Sequence, residues 1–381
     1  MPISRRKLLC QFGAGAVMTA ALPSLAESRF GEFPRSIAEG RSGGPVILLS
    51  RNENAYGPSE KAIAAMRGAE HSANRYPKAQ TGDLRDRIAK LHALEVEQIV
   101  LGCGSGEILT AAAAAFGGRG KKVITALPTF EQLGRAAQID DAEIITVPLS
   151  KNYAHDLDGV LARTDAATGL IYICNPNNPT ASITPRRDIE DFLQKLPRTA
   201  MVLIDEAYHH YVAPTASYAS FIDQPVNDDR VIITRTFSTV YGLAGIRVGY
   251  AVASPETART LSARCLPDGT NIVGALAAVS ALDDTAYIRT CVKRNADDRQ
   301  EFFNQANARM LRAIDSHTNF VMMSAQRPAT EVVEHFKKNG VEIGRPFPPL
   351  DNYIRVTLGK PAEMAEFWRV WDLAPAHKME M

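Results

Sequence analysis

Short apolar runs alternate with segments of helical periodicity from about residue 80 to residue 253. In GDLRDRIAKLHAL, Leu84, Ile88 and Leu91 share one face of an amphipathic helix, and QIVLGCGS after it is a predicted strand entering a glycine turn. Further predicted strands are KKVITALP, AEIITVPL, TGLIYICNPNNPT, AMVLIDEAY, DRVIITRT and IRVGYAVA. Predicted helices among them are GEILTAAAAAF, FEQLGRAAQI and RRDIEDFLQKLP. This alternation predicts an α/β fold whose parallel sheet is covered by helices on both faces.

A second domain is indicated by a change of pattern near Gly274. From there the chain is mostly helical, with short apolar runs in TNFVMM, VEIG and NYIRVTLG. We predict an N-terminal segment at 27–70 that packs with the small domain, a large domain at 71–273 and a small C-terminal α/β domain at 274–381.

The first residues have the layout of an export signal. MPISRRKLLCQFGAGAVMTAALPSLAES contains a basic region, an apolar region and small residues near position 26. Arg5 and Arg6 match the twin-arginine type. An amphipathic or anchoring N-terminal helix is the alternative, but the apolar stretch is short for a membrane span. We therefore predict a twin-arginine signal at 1–26 and a mature periplasmic protein with no stable membrane association.

Composition excludes several classes of partner. The formal net charge is +1, so nothing indicates a surface for nucleic acid or for a membrane. The cysteines after residue 26 are widely spaced and form no CxxC pair, so no metal site is predicted. They are Cys103, Cys174, Cys265 and Cys291.

Polar clusters follow several predicted strands, where ligands of open α/β sheets bind. In GCGSGE, Gly104, Ser105 and Gly106 would present backbone N–H groups to an anion at a helix start, although such turns are often only structural. Asp205 ends a very apolar strand, so its carboxylate is predicted to be buried. Its partner would be a protonated ring nitrogen or an internal arginine.

Two further segments extend this pattern. RTFSTVYGLAGIRVGY runs from a strand into a Ser/Thr-rich turn, a predicted glycine-punctuated helix start and Arg247, a layout that suits a phosphate. NPNNPT supplies amide side chains at another strand end, and Phe130 in PTFEQ could stack on an aromatic ring. Together the clusters predict a site for a flat, phosphorylated heteroaromatic.

These motifs, in this order, resemble those of fold-type I pyridoxal-phosphate aminotransferases, closest to the histidinol-phosphate aminotransferase branch. The resemblance covers nearly the whole mature chain, through NENAYGP, NRYP, GCGSGE, NPNNPT, IDEAY, RTFSTVYGLAGIRVGY and NYIRVTLG. It implies a large cofactor-binding domain, with a mostly parallel seven-stranded sheet between helices, and a smaller α/β domain.

The resemblance also implies a role for each matching residue. Asp205 would pair with the ring nitrogen of the cofactor, and Asn178 and Tyr208 would bind its phenolic oxygen. The residues implied to bind the phosphate are Ser105, Gly106, Thr236, Ser238 and Arg247. Those implied to lie at the substrate are Arg355, for a carboxylate, Arg345, as a second anion contact, and Asn54 and Tyr56, which close over it. Tyr76 would reach the phosphate in the neighbouring subunit, which implies a homodimer.

Two positions depart from the family pattern. Ala181 stands where NPT is usually followed by glycine. Thr239 stands at the position of the Schiff-base lysine, eight residues before Arg247, and no lysine occurs between Lys195 and Lys293. Threonine can neither hold the cofactor as an imine nor act as an effective base. Pyridoxal or pyridoxamine 5′-phosphate is therefore expected to bind without a covalent bond.

Three interpretations of Thr239 remain open. The chain is a transaminase with another base, such as Tyr208, His209, His210 or a partner residue; or it is a non-catalytic periplasmic binder of cofactor or amino acid. Alternatively, Thr239 is an engineered or erroneous replacement. The joint presence of Asp205, Asn178 and Arg355 favours a functioning site. We therefore predict a pyridoxal-phosphate-dependent aminotransferase acting on an amino acid or a related amine.

Overall fold

The computed structural model describes residues 46–213, 215 and 217–374. The predicted export signal at 1–26 lies outside the described residues. No helix of the described part is long and apolar enough to cross a membrane. The predicted domain boundaries stay a prediction.

The elements follow one another much as the apolar pattern predicts. The strands are β1 (Ile47–Leu49), β2 (Ile99–Gly102), β3 (Lys122–Leu127), β4 (Glu143–Pro148), β5 (Thr168–Cys174), β6 (Met201–Asp205), β7 (Val231–Thr236), β8 (Gly249–Val252), β9 (Phe320–Ser324), β10 (Val341–Ile343) and β11 (Tyr353–Thr357). The helices are α1 (Glu60–Gly68), α2 (Lys78–His92), α3 (Ser105–Phe116), α4 (Gln132–Ile139), α5 (Leu157–Leu161), α6 (Arg186–Lys195), α7 (Pro255–Ser262), α8 (Ile272–Asp283), α9 (Thr285–Ala308), α10 (Ala329–Lys338) and α11 (Pro361–Asp372).

A seven-stranded sheet forms the centre of the larger part of the fold, with strand order β2-β8-β7-β6-β5-β3-β4. Its strands are parallel except β8, which pairs antiparallel with both β2 and β7. Every residue of β5 is buried, as expected for a parallel strand covered on both faces. The predicted α/β fold with a mostly parallel seven-stranded sheet is confirmed.

The C-terminal part has its own apolar core and two small sheets. β9 pairs antiparallel with β11, and β1 pairs in parallel with β10. The core between these strands and α9, α10 and α11 contains stacked or tilted aromatic rings. Its largest members are Phe302, Phe336, Phe367, Trp368 and Trp371. The pairing with β10 places the start of the described chain against this smaller part.

One local prediction is wrong. The glycine-punctuated helix start before Arg247 is only a single 3₁₀ turn at Ala244–Ile246, because the chain adopts left-handed conformations at Gly242 (φ 69°) and Arg247 (φ 62°). On α2, Leu84 and Ile88 are fully buried, but Leu91 is 55% exposed. The apolar face of α2 thus continues beyond the part that the rest of the described chain covers.

Candidate active site

A cavity of about 650 Å³ lies at the carboxyl ends of the parallel strands. It brings together residues that the sequence places far apart, between Ser50 and Arg355. The sequence-predicted site residues on its wall are Ser105, Gly106, Phe130, Asn178, Asp205, Tyr208, Thr236, Ser238, Thr239, Arg247 and Arg355. This wall combines hydroxyls, amides, three arginines and one buried carboxylate.

One end of the cavity is built to hold an anion. Gly104 precedes α3, whose first N–H groups, those of Ser105 and Gly106, have no acceptor within the helix. The Thr236 hydroxyl donates to Ser238 Oγ at 2.8 Å, and Arg247 Nη1 approaches that same oxygen at 3.4 Å. Hydroxyls, one guanidinium and a helix N-terminus thus converge, which is the donor set that a phosphate requires.

Gly104 gives this end its shape because Arg247 packs directly against it. Its φ of 75° favours glycine, and a Cβ there would lie 2.2 Å from Arg247 Nη2. Gly104→Ala is expected to displace the guanidinium and weaken binding of pyridoxal phosphate roughly tenfold, the usual effect of losing a hydrogen bond to a charged group. An absorbance titration measures this affinity.

Gly82→Ala is the matched control. Gly82 lies within α2, and a Cβ at this position would have no other atom within 4 Å. Its replacement is expected to raise the free energy of unfolding by about 0.5–1 kcal/mol and to leave the affinity unchanged. Equal affinities of the two variants would contradict the role given to the close packing at Gly104.

Asp205 is 3% exposed and has no cationic partner among the described residues. Its carboxylate accepts hydrogen bonds from Tyr172 Oη (2.9 Å), Thr234 Oγ1 (3.1 Å) and the Ala207 amide (3.1 Å). The internal-arginine alternative is wrong, because Arg235 Nε pairs with Glu206 instead, at 3.1 Å. Burial raises the pKa of Asp205. The carboxylate therefore lies on the cavity wall without a counter-charge.

The Tyr208 hydroxyl is held by two amides. It accepts from Asn52 Nδ2 at 2.9 Å and from Asn178 Nδ2 at 3.4 Å. No acceptor for its own proton occurs in the part of the chain that the structure describes, so that proton is available to a ligand oxygen. Asn52, whose backbone is left-handed (φ 58°), was not among the predicted site residues; its position in NENAYGP was the available signal.

Arg355 is a buried guanidinium with neutral partners. Nη1 donates to Asn178 Oδ1 at 2.6 Å and Nη2 to the Ser50 carbonyl at 2.5 Å, while Nε has no acceptor in the described chain. Burial lowers the pKa of Arg355 to about 10. The ring of Phe347 lies 4.7 Å from the guanidinium carbon. A buried cation without an anion is suited to a carboxylate ligand.

Thr239 is 5% exposed and lies on the cavity wall, where its hydroxyl donates to the Ala207 carbonyl at 2.9 Å. No lysine lines the cavity within the described ranges. His209 and His210, the suggested alternative bases, do not line it either. The chain turns at His209–Tyr211, so His209 faces Asp223 and His210 bonds the Tyr241 hydroxyl. Burial lowers the pKa of both histidines.

Besides Gly104, four predicted residues lie outside the cavity wall. Tyr56 donates to Asp298 Oδ2 at 2.9 Å, and Arg345 Nη2 donates to Glu131 Oε1 at 2.7 Å. Asn54 donates to the Val240 carbonyl and lines a neighbouring cavity of about 290 Å³. Tyr76 is 85% exposed, and its proposed contact with a second subunit stays a prediction.

Ala181, the smaller departure from the family pattern, has a left-handed backbone. Its φ is 63° and it is fully buried. Glycine adopts this conformation without steric cost, whereas alanine does so with strain. The backbone geometry thus accounts for a glycine preference at this position.

Other wall residues were missed by the sequence analysis. Gln132 Nε2 donates to the Gly106 carbonyl at 2.9 Å, and a Cβ on Gly106 would lie 2.7 Å from the same amide group. Arg51 and Glu53 flank Asn52 in the sequence, and both line the cavity. Glu53 lies in NENAYGP and Gln132 in PTFEQ, two segments that the sequence analysis singled out, whereas nothing in the local pattern distinguishes Arg51 from an ordinary surface position.

Comparison with known proteins shows that this chain is similar to aminotransferases. The family model for aminotransferase class I and II matches residues 44–370. The chain is 34% identical to histidinol-phosphate aminotransferase of Bacillus cytotoxicus over 323 residues, covering 84% of this chain and 86% of that protein. It is 35% identical to the same-named protein of Staphylococcus carnosus over 315 residues, covering 83% and 87%.

The fold agrees with a solved structure. Histidinol-phosphate aminotransferase of Sinorhizobium meliloti, crystallised in complex with pyridoxal 5′-phosphate, superposes with a TM-score of 0.84 at 26% identity. The match covers 94% of this chain and 100% of that one.

Proposed function

The chain belongs to the class I and II aminotransferase family, and on that basis we propose that its cavity binds pyridoxal or pyridoxamine 5′-phosphate without a covalent bond and acts on an amino acid or a related amine. The observation that carries the proposal is a pair of buried, uncompensated charges on one wall, Asp205 and Arg355. Each costs free energy unless a ligand supplies the opposite charge.

The residues present fit this cofactor. The anion-binding end, with Arg247 and the start of α3, would hold the phosphate. Asp205 would hold the proton on the ring nitrogen, which removes the cost of its own burial. The free proton of Tyr208 would bind the ring oxygen, and Phe130 on the wall would cover one ring face. When bound, the cofactor supplies an electron sink for negative charge at the carbon that carries the amino group.

The chain's own groups would then place the substrate. Arg355, oriented by Asn178 and by the Ser50 carbonyl, would take its carboxylate. An amino acid, rather than an amine without a carboxylate, is therefore the substrate that best matches the buried guanidinium. Amino-group transfer to a 2-oxo acid is the reaction proposed for this site.

Thr239 limits how fast that reaction proceeds. Its hydroxyl proton is directed at the Ala207 carbonyl, so the side chain is not placed to move a proton at the substrate carbon. Tyr208 is the one proposed base that lies on the cavity wall, and burial raises its pKa. A neutral phenol is a weak base, so we propose slow turnover.

A non-catalytic binder is the second candidate. The specific observation in its favour is that no lysine lines the cavity in the described part of the chain. In this case the protein would bind the cofactor, an amino acid or both in the periplasm, without exchanging the amino group.

One experiment distinguishes the proposed enzyme from the non-catalytic binder. The mature chain, loaded with pyridoxal phosphate, would be mixed with each of a panel of amino acids while absorption spectra are recorded. The proposed enzyme converts the bound aldehyde to the amine form and releases a 2-oxo acid, which chromatography detects. Cofactor binding without any 2-oxo acid would exclude transamination and support the binder.

We also propose a homodimer in the periplasm, reached by the twin-arginine route. Tyr76 supports the dimer, since a tyrosine that is 85% exposed in one chain is available to a second. The export signal supports the location, because the twin-arginine route carries folded proteins and would permit cofactor loading before export.

A further inference from the structure

Two charged side chains on the cavity wall have no role in the proposed function. Three of the charged wall residues are assigned: Asp205 to the ring nitrogen, Arg247 to the phosphate and Arg355 to the substrate carboxylate. Arg51 and Glu53 remain. Both are exposed, and they lie on either side of Asn52, which bonds the Tyr208 hydroxyl. The side chains that flank the substrate position therefore include one unassigned cation and one unassigned anion.

Arg345, the expected second anion contact, is already engaged. Its guanidinium donates to Glu131 Oε1 at 2.7 Å, stacks on Phe347 at 4.5 Å and donates to the Pro346 carbonyl. Glu131 also pairs with Arg135. A second anionic group on a substrate would have to displace Glu131 from Arg345.

Arg51 differs from Arg345 in its contacts. Among the residues that the structure describes, no side-chain hydrogen bond or ion pair engages Arg51. It follows Ser50, whose carbonyl accepts from Arg355 Nη2, so the two arginines belong to the same part of the wall. An unpaired guanidinium beside a carboxylate site is suited to a second anionic group on the same ligand.

Glu53 is less well placed to select the substrate. It lines both the main cavity and the neighbouring cavity that contains Asn54 and Glu363. Arg51, in contrast, lines only the main cavity and not the neighbouring one. Arg51 is also the direct chain neighbour of Ser50, whose carbonyl binds Arg355, so the unassigned charge next to that contact is positive.

We propose that Arg51 is a specificity-determining residue that selects amino acids with a second anionic group, such as a side-chain carboxylate. The α-carboxylate binds Arg355 and the distal anion binds Arg51, while the Arg345–Glu131 ion pair stays intact. The inference rests on the proposed function, since it takes the substrate carboxylate to bind Arg355.

The test compares two ligands that undergo no amine chemistry. Glutarate and pentanoate have the same five-carbon chain and differ in one distal carboxylate. Their dissociation constants would be measured by calorimetry on the mature chain with pyridoxal phosphate bound. Glutarate is expected to bind roughly fivefold more tightly, as one partly exposed ion pair provides, and added salt is expected to reduce this preference.

Matched variants show which side chain causes the preference for glutarate. Arg51→Gln is expected to bring the glutarate-to-pentanoate ratio close to one without changing pentanoate affinity, whereas Arg345→Gln leaves the ratio unchanged. Glu53→Gln is expected to increase it, because a nearby negative charge is removed. The inference would be overturned if the wild-type protein showed no preference for glutarate or bound neither probe. It would also be overturned if the preference survived in Arg51→Gln or was lost in Arg345→Gln.

Failure of this inference is distinguishable from failure of the proposed function. Cofactor binding is followed separately by absorbance on the same samples. If pyridoxal phosphate binds and glutarate is not preferred, only the role of Arg51 is wrong. If pyridoxal phosphate does not bind, the proposed function itself is wrong.

Discussion

Replacing Thr239 by lysine is expected to raise the rate of amino-group transfer by about 10²–10⁴-fold, the range that a positioned general acid–base group provides. Thr239 is buried on the cavity wall, so a longer side chain there extends into the cavity. A primary amine at this position would hold the cofactor covalently and would move the proton at the substrate carbon. Single-turnover kinetics with an amino acid, followed by absorbance, measures the change.

Thr239→Met is the control for this experiment. Methionine is similar in length to lysine and carries no amine, so it tests the effect of filling the cavity alone. It is expected to be no faster than the wild type. A Thr239→Lys variant that is no faster than wild type would contradict the view that the rest of the site is ready for transamination.

Asp205→Asn is expected to weaken binding of pyridoxal phosphate by about 2–5 kcal/mol, roughly 30- to 4000-fold, the usual cost of removing one partner of a buried charge pair. Asparagine keeps the shape, and its carbonyl oxygen can still accept from Thr234 and from the Ala207 amide, while its NH2 group can donate to Tyr172 Oη. The loss therefore reports mainly the charge, with one hydrogen bond reversed in direction. An absorbance titration of the two proteins checks it.

The same substitution has an opposite effect on the cofactor-free protein. Burial raises the pKa of Asp205 above its unfolded value, so the folded state loses stability as the pH rises through that raised pKa. At neutral pH the Asn variant is therefore expected to have the greater free energy of unfolding. The difference should shrink at acid pH, where the carboxyl is protonated in both states. A less stable variant at neutral pH would contradict an uncompensated carboxylate.

The backbone fold could be predicted because its determinants are local. The uninterrupted apolar run of β5 and the apolar run ending at Asp205 are what parallel strands buried on both faces require. Because parallel strands end at one edge, residues at the carboxyl ends of different strands, such as Asp205 and Thr236, come together on one wall. That part of the site follows from sequence position alone.

Side-chain partners from distant elements could not be predicted in this way. Arg345 is bound by Glu131, 214 positions away, and Tyr56 by Asp298, 242 positions away. Each of these contacts engages a side chain that was predicted to bind the substrate. Neither Glu131 nor Asp298 can be recognised as a partner from the residues around it in the sequence. Asn52 lies in the NENAYGP motif, but its contact with Tyr208 is what identifies it as a site residue. Adjacent histidines likewise gave no indication that the turn at His209–Tyr211 directs them away from the cavity.

The central claim is a cofactor site that holds its ligand without a covalent bond. The most direct test is to incubate the mature wild-type chain with pyridoxal phosphate, treat it with borohydride and record its intact mass, with the bound cofactor quantified before reduction. We predict stoichiometric binding and an unmodified mass, whereas the Thr239→Lys variant gains a reduced pyridoxyl group. A wild-type chain that carries that group on a lysine, or one that binds no cofactor, would contradict the account.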